Sequence, residues 1–251
     1  MGVMRKRIKP IVVYVVLALL GLALVIANIH NTSKQQAHLQ NVKSAIPSAT
    51  TPKTTTSSTS SSSDEELILN PIIDLSGWQL PQDIDYDVLS NHISGAIVRV
   101  FGGSQISKDS NAASSNGVDK SFKTHIKELK KRDVPVAVYS YAQGTSVKEM
   151  KEEARIFYKN ASPYKPTYYW IDVEEETMSN MEEGVQAFLA ELKRLGAEKV
   201  GLYIGAYFML EQEVSTKNFD AVWIPAYGTD SGYYEALPNT EIDYDLHQYT
   251  S

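Results

Sequence analysis

Seven short apolar runs, at residues 67–74, 95–101, 135–141, 168–173, 199–204, 221–225 and 246–249, punctuate the chain from residue 67 onward, and their spacing constrains the fold more than any other feature. Several are apolar without alternation, as strands covered on both faces of a parallel sheet must be. Between them, Phe122, Ile126 and Leu129, then Met150, Ala154 and Phe157, then Val185, Phe188, Leu192 and Leu195 recur at helical spacing. Each stripe gives its helix one apolar face for core packing. Strand followed by helix, repeated, predicts an α/β protein built as a parallel sheet or barrel.

The residues before this region are a different polymer. Arg5, Lys6, Arg7 and Lys9 precede residues 11–27, an apolar run without a charged side chain. A bilayer core takes roughly 17 to 25 such residues as a helix, so the run is just long enough to span. Residues 1–30 are therefore expected to be a basic cytoplasmic stub and a transmembrane anchor, the positive flank holding the N-terminus inside and sending the rest of the chain outside. The alternative is a signal peptide cleaved near Val25-Ile26-Ala27, giving a secreted protein. Residues 31–66 are expected to be a disordered linker: 14 of the 20 residues in 44–63 are Ser or Thr, too polar to offset the entropy of ordering. Residues 67–251 remain as the single folded domain, expected to be monomeric.

Charge and residue usage narrow what that domain does. Seven of the 24 basic and three of the 30 acidic residues fall in 1–66, so residues 67–251 carry a net charge of −10. A surface so acidic does not suit a phosphate backbone, so no nucleic-acid partner is expected. The chain has no cysteine, which excludes thiolate nucleophiles, disulfides and Cys-ligated zinc. Of five histidines only His92, His125 and His247 lie beyond the linker, so a His-rich metal centre is not expected.

In a parallel barrel, functional groups gather at the C-terminal ends of the strands. Those ends carry Asp74, Arg99, Tyr139 and Tyr141, then Asp172 and Glu174, then Trp223 and Tyr227, and finally Gln248. Carboxylates for proton transfer, aromatic faces for stacking and amides for hydroxyls together suit a sugar. Side chains two apart on a strand point the same way, so Asp172 and Glu174 share a face while Val173 turns away. Their repulsion and desolvation raise the pKa of at least one, leaving a retained proton for general-acid work. Glu174, nearer the strand end and longer, is the expected acid; Asp172 is expected to stay charged. Asp74 is open to two readings, a cap or a cleft carboxylate, as are Trp78, Trp170 and Trp223, which serve as core or as site. Arg99, on an apolar strand, is expected to pair with one of these acids or to contact substrate, since burial unpaired is too costly.

Four motifs in order carry a resemblance. Ile73-Asp74-Leu75-Ser76-Gly77-Trp78-Gln79, Tyr169-Trp170-Ile171-Asp172-Val173-Glu174, Trp223-Ile224-Pro225-Ala226-Tyr227 and His247-Gln248-Tyr249-Thr250-Ser251 are similar to the motifs of the family 25 glycoside hydrolases, the Chalaropsis-type lysozymes or N-acetylmuramidases. The resemblance implies a flattened TIM-like barrel of five βα units followed by strands with little helix. It implies cleavage of the β-1,4 bond between N-acetylmuramic acid and N-acetylglucosamine in peptidoglycan, with glycan strands as the partner and no metal or organic cofactor. Carried over by position, Glu174 resembles the family's proton donor, Asp172 the assisting carboxylate and Asp74 a supporting one. Two departures accompany it: Arg99 to Gly103 replace a Lys and Glu common after the second strand, and the family's final strand, with another Asp, is not matched before Ser251. Either the barrel lacks its closing strand or the sequence is a truncated version, and a catalytically impaired glycan-binding module with the same cleft stands as the alternative to a muramidase.

Overall fold

Parallel pairing of consecutive strands builds one seven-stranded sheet in chain order. The computed structural model describes residues 70–235 and 237–251; the expected anchor and Ser/Thr-rich linker lie outside them. The strands are β1 (Ile72–Leu75), β2 (Gly95–Phe101), β3 (Val136–Tyr141), β4 (Tyr169–Val173), β5 (Val200–Ile204), β6 (Ala221–Pro225) and β7 (Leu246–Gln248). All but the first start and end within a residue of the apolar runs. β1 starts late because Pro71, which has no N–H for the ladder, sits immediately before it.

Helices α1 (Tyr86–Ser90), α2 (Phe122–Lys130), α3 (Val147–Ala161), α4 (Met181–Leu195) and α5 (Ala206–Glu211) occupy the connections up to β6. The β6–β7 connection has no helix among the described residues. Local chemistry sets the boundaries. The Ser146 and Asn180 side chains accept from the Glu149 and Glu183 amides at the starts of α3 and α4. Gly196 ends α4 at φ 107°, a conformation only glycine adopts freely. The predicted stripes are buried as expected, except Leu195, which stays half-exposed at the end of α4.

Strand alternation divides the core in two. Val98, Val138, Ile171 and Leu202 pack outward beneath the helices. Ile97, Ala137, Trp170, Tyr203, Ala221 and Trp223 pack inward against one another. Gly201 makes room there: a Cβ would lie 2.3 Å from the Trp170 ring. A flat sheet of seven strands about 4.8 Å apart would hold β1 and β7 roughly 29 Å apart. Instead Gln248 on β7 donates to Asp74 on β1 at 2.9 Å, so the sheet curls until its first and last strands face each other. No strand among the described residues lies between them. The described residues contain no helix long and apolar enough to cross a membrane.

Candidate active site

Because the strands are parallel and curl, their C-terminal ends converge, and the inward-facing residues at those ends line one small cavity of about 110 Å³. Its walls are Asp74, Tyr139, Asp172, Glu174, Tyr203, Trp223, Tyr227 and Gln248. A whole-ligand pocket is usually about 300 Å³ or more. This cavity therefore admits a substituent of a sugar, with the ring lying across its mouth. A larger cavity of about 580 Å³ opens along the seam between β1 and β7 and shares Asp74, Trp223 and Gln248 with it.

Asp172 and Glu174 sit on the same side of β4, as alternation requires. Asp172 is buried, and one of its carboxylate oxygens has no hydrogen-bond partner. Glu174, one step nearer the strand end, is exposed, close enough for its charge to act on Asp172. Burial, and then the neighbouring Glu174 charge, push the Asp172 carboxyl well above the usual range. Burial also raises Glu174, while its bond to Asp172 opposes the rise. The rise on Asp172 runs against the expectation that it stays charged, and the two carboxyls titrate as a pair.

Asp74 is a cleft carboxylate rather than a helix cap. Burial raises its pKa, and the Gln248 amide opposes that rise by donating to it. Gln248 in turn accepts from Tyr203 at 2.7 Å and Tyr227 at 2.9 Å. The inner aromatic rings form the floor, with Trp223 edge-on to both Tyr203 and Trp170. Trp170 is core and Trp223 is both core and wall, whereas Trp78 is 63% exposed after β1, neither in the core nor lining the cavity.

Two expected site residues lie off the cavity. Arg99 does not pair with Asp74, Asp172 or Glu174; its Nε donates to Asp119 at 2.9 Å, with the two side chains 14% and 0% exposed. Asp119 outcompetes the cleft acids because it also accepts from the Gly77, Ser121 and Phe122 amides and is fixed in place. Tyr141 points to the rim, where its hydroxyl donates to Glu175 at 2.8 Å. Tyr203 went unpredicted. Its signal was available, since it lies two residues from Gly201 on an inward-facing strand position. Glu153 was also unpredicted: buried on α3, it accepts from the Ser104 amide at 2.8 Å and the Gln143 amide at 3.0 Å, joining the loops after β2 and β3. Among the described residues no group of three or more His, Asp or Glu could hold a metal ion.

The model of the glycosyl hydrolases family 25 matches residues 73–251. Among solved structures, the chain is similar to the virulence factor GHIP of Streptococcus pneumoniae, a glycosyl hydrolase 25 participating in host cell invasion. The identity is 58%, over 72% of this chain and 79% of that one, with a TM-score of 0.71. It is 28% identical to the catalytic domain of endolysin ply40 from bacteriophage P40 of Listeria monocytogenes, over 72% of this chain and 84% of that one, with a TM-score of 0.61. The Cpl-1 endolysin, solved with a peptidoglycan analogue, shares the fold at 17% identity and a TM-score of 0.55, over 71% of this chain and 50% of that one. No match was found among curated proteins.

Proposed function

The chain belongs to glycosyl hydrolase family 25, and from that premise we propose that it is a cell-wall lysozyme, a muramidase cutting the β-1,4 bond between N-acetylmuramic acid and N-acetylglucosamine of peptidoglycan. The observation that carries the reading is the Asp172–Glu174 pair, side by side at the wall of a cavity also lined by Asp74, four aromatic side chains and an amide. Glu174 is the member that reaches the mouth, so it is the general acid that protonates the glycosidic oxygen. The one proton of the pair, on Glu174 as the bond breaks, passes to the glycosidic oxygen and leaves both Glu174 and Asp172 as carboxylates, and Asp74 faces the positive charge developing at the sugar. Tyr139, Trp223 and Tyr227 hold the substrate, with Arg99 and Tyr141 contributing from behind and from the rim.

The finer architecture belongs to the same proposal. The elements read as a TIM-like barrel of five βα units followed by β6 and β7, with the closing strand absent from the β1–β7 seam. The chain acts as a monomer, held to the outer face of the cell membrane by residues 1–30 through the linker 31–66.

Turbidity loss of purified walls, followed by analysis of the new reducing ends, tests the activity. Muramic acid at those ends is expected; glucosamine there overturns the assignment. Glu174→Gln should lower kcat by about 10²- to 10⁴-fold, the usual worth of a general acid, while wall binding persists. Clearing that survives in this variant removes Glu174 from the role. Wall binding without clearing by the unaltered protein favours a glycan-binding module instead.

A further inference from the structure

Gln248 lines the cavity, and a residue there invites the role of substrate contact. Its hydrogen bonds are already committed to the protein. Oε1 accepts from the hydroxyls of Tyr203 at 2.7 Å and Tyr227 at 2.9 Å, and Nε2 donates to Asp74 Oδ2 at 2.9 Å. The two hydroxyls lie 3.1 Å apart, and each has a single proton. With both protons directed at Oε1, the tyrosines fix which way the amide faces. The reversed amide would set its oxygen against the carboxylate of Asp74, two acceptors with no proton between them. The tyrosines are themselves well held. Tyr203 is buried, its ring 4.5 Å from that of Trp223, and Tyr227 follows β6 directly. β5, β6 and β7 thus all contribute to the orientation of one carboxylate on β1. Asp172, by contrast, has a buried oxygen without any hydrogen-bond partner.

We propose that Gln248 is a positioning residue, not a substrate contact: seated on Tyr203 and Tyr227, its amide group orients Asp74 and holds it as the carboxylate anion of the cleft. The division of labour among the three acids then follows from what each touches. This deepens the hydrolase reading by assigning its anion to Asp74. The lone pairs of both hydroxyls remain open, so Tyr203 and Tyr227 face a substrate as acceptors of its O–H or N–H groups.

Gln248→Met keeps length and shape while removing both the donor and the acceptor. In protein labelled with ¹³C at the aspartate carboxyls, with Asp74 assigned by its loss in Asp74→Asn, the Asp74 titration should move up by about one to two pH units, what losing one hydrogen bond to a charged group amounts to. The acid limb of kcat/KM for wall hydrolysis should move with it, cutting the rate about tenfold or more below that limb. Tyr203→Phe and Tyr227→Phe, which keep the rings, should shift the titration the same way by less, and they carry the test where Gln248→Met does not fold. In an Asp74→Asn background Gln248→Met should add no further loss. An unmoved Asp74 titration, or a rise in KM with kcat and the pH profile unchanged, overturns the proposal and returns Gln248 to substrate binding. A shifted titration in a protein that clears no wall sustains the relay and defeats the hydrolase reading, so the two fail separately.

Discussion

Asp172 illustrates how one residue can be bad for stability and necessary for a site. It is buried, with an unpartnered oxygen, and faces a second carboxyl, so its carboxyl holds a proton far more tightly in the folded chain than in the unfolded one. For an acid whose folded pKa is raised, the native state binds the extra proton, and the associated stability is present at low pH and is lost as pH climbs above the unfolded value of about 3.9. Asp172→Asn cannot ionise and escapes that loss. It should raise Tm at pH 7 by about 2–4 °C, the effect of about 1 kcal/mol in a domain of this size, with no gain below pH 3.9. Hydrolysis should fall at every pH. Thermal unfolding at pH 3.5 and pH 7 checks the first part, and a gain that is equal at both pH values, or a loss at pH 7, rules out burial of charge as the cause. The pair itself was legible in the sequence because a two-residue spacing on an apolar strand has only one geometric outcome. Which partner keeps the proton was not, since depth of burial depends on the six other strands.

At the scale of elements, the strands were readable almost to the residue, and the ties between them were not. Strand periodicity is local, whereas Asp119 lies in the long β2–α2 connection and reaches Gly77 after β1, Arg99 on β2 and the first amides of α2. Nothing in its neighbours marks it as the partner of Arg99, for which the sequence left open a cleft acid or a substrate contact. Its position sets a cost. Asp119→Ala strands the largely buried guanidinium of Arg99 and three amides at once, and breaking a buried pair from one side costs about 3–5 kcal/mol. Urea unfolding should show that loss, and the double variant with Arg99→Met should be less unstable than Asp119→Ala alone, because no unpaired charge is left behind. Should the two substitutions simply add, the pair does not act as a unit. Glu153 makes the analogous tie between the loops after β2 and β3, again from a helix outside the sheet. The walls of the cleft are thus held from behind by residues that touch nothing inside it.

Across the whole chain, the acidic compact unit begins at Glu65 and the described residues begin at Asn70, just before β1. Asn70 therefore lies before the N-terminal end of β1, about 13 Å along the chain from the cleft residue Asp74. Every described residue lining the cavity lies within 74–248. If the N-terminal segment serves only to confine the enzyme, as proposed, its removal changes where hydrolysis happens and not how fast each site turns over. Residues 65–251 prepared alone should match the whole chain in kcat on soluble wall fragments within about twofold and unfold at the same temperature. On intact cells the two should part, because a linker of roughly 40 residues reaches only about 35 Å by the random-coil estimate and concentrates the anchored enzyme in the innermost wall. Shortening the linker by half should then reduce digestion of wall in place while leaving digestion of soluble fragments alone. A separated domain that is slower on soluble fragments, or a shortened linker that slows both substrates equally, would mean that the N-terminal segment takes part in the site itself.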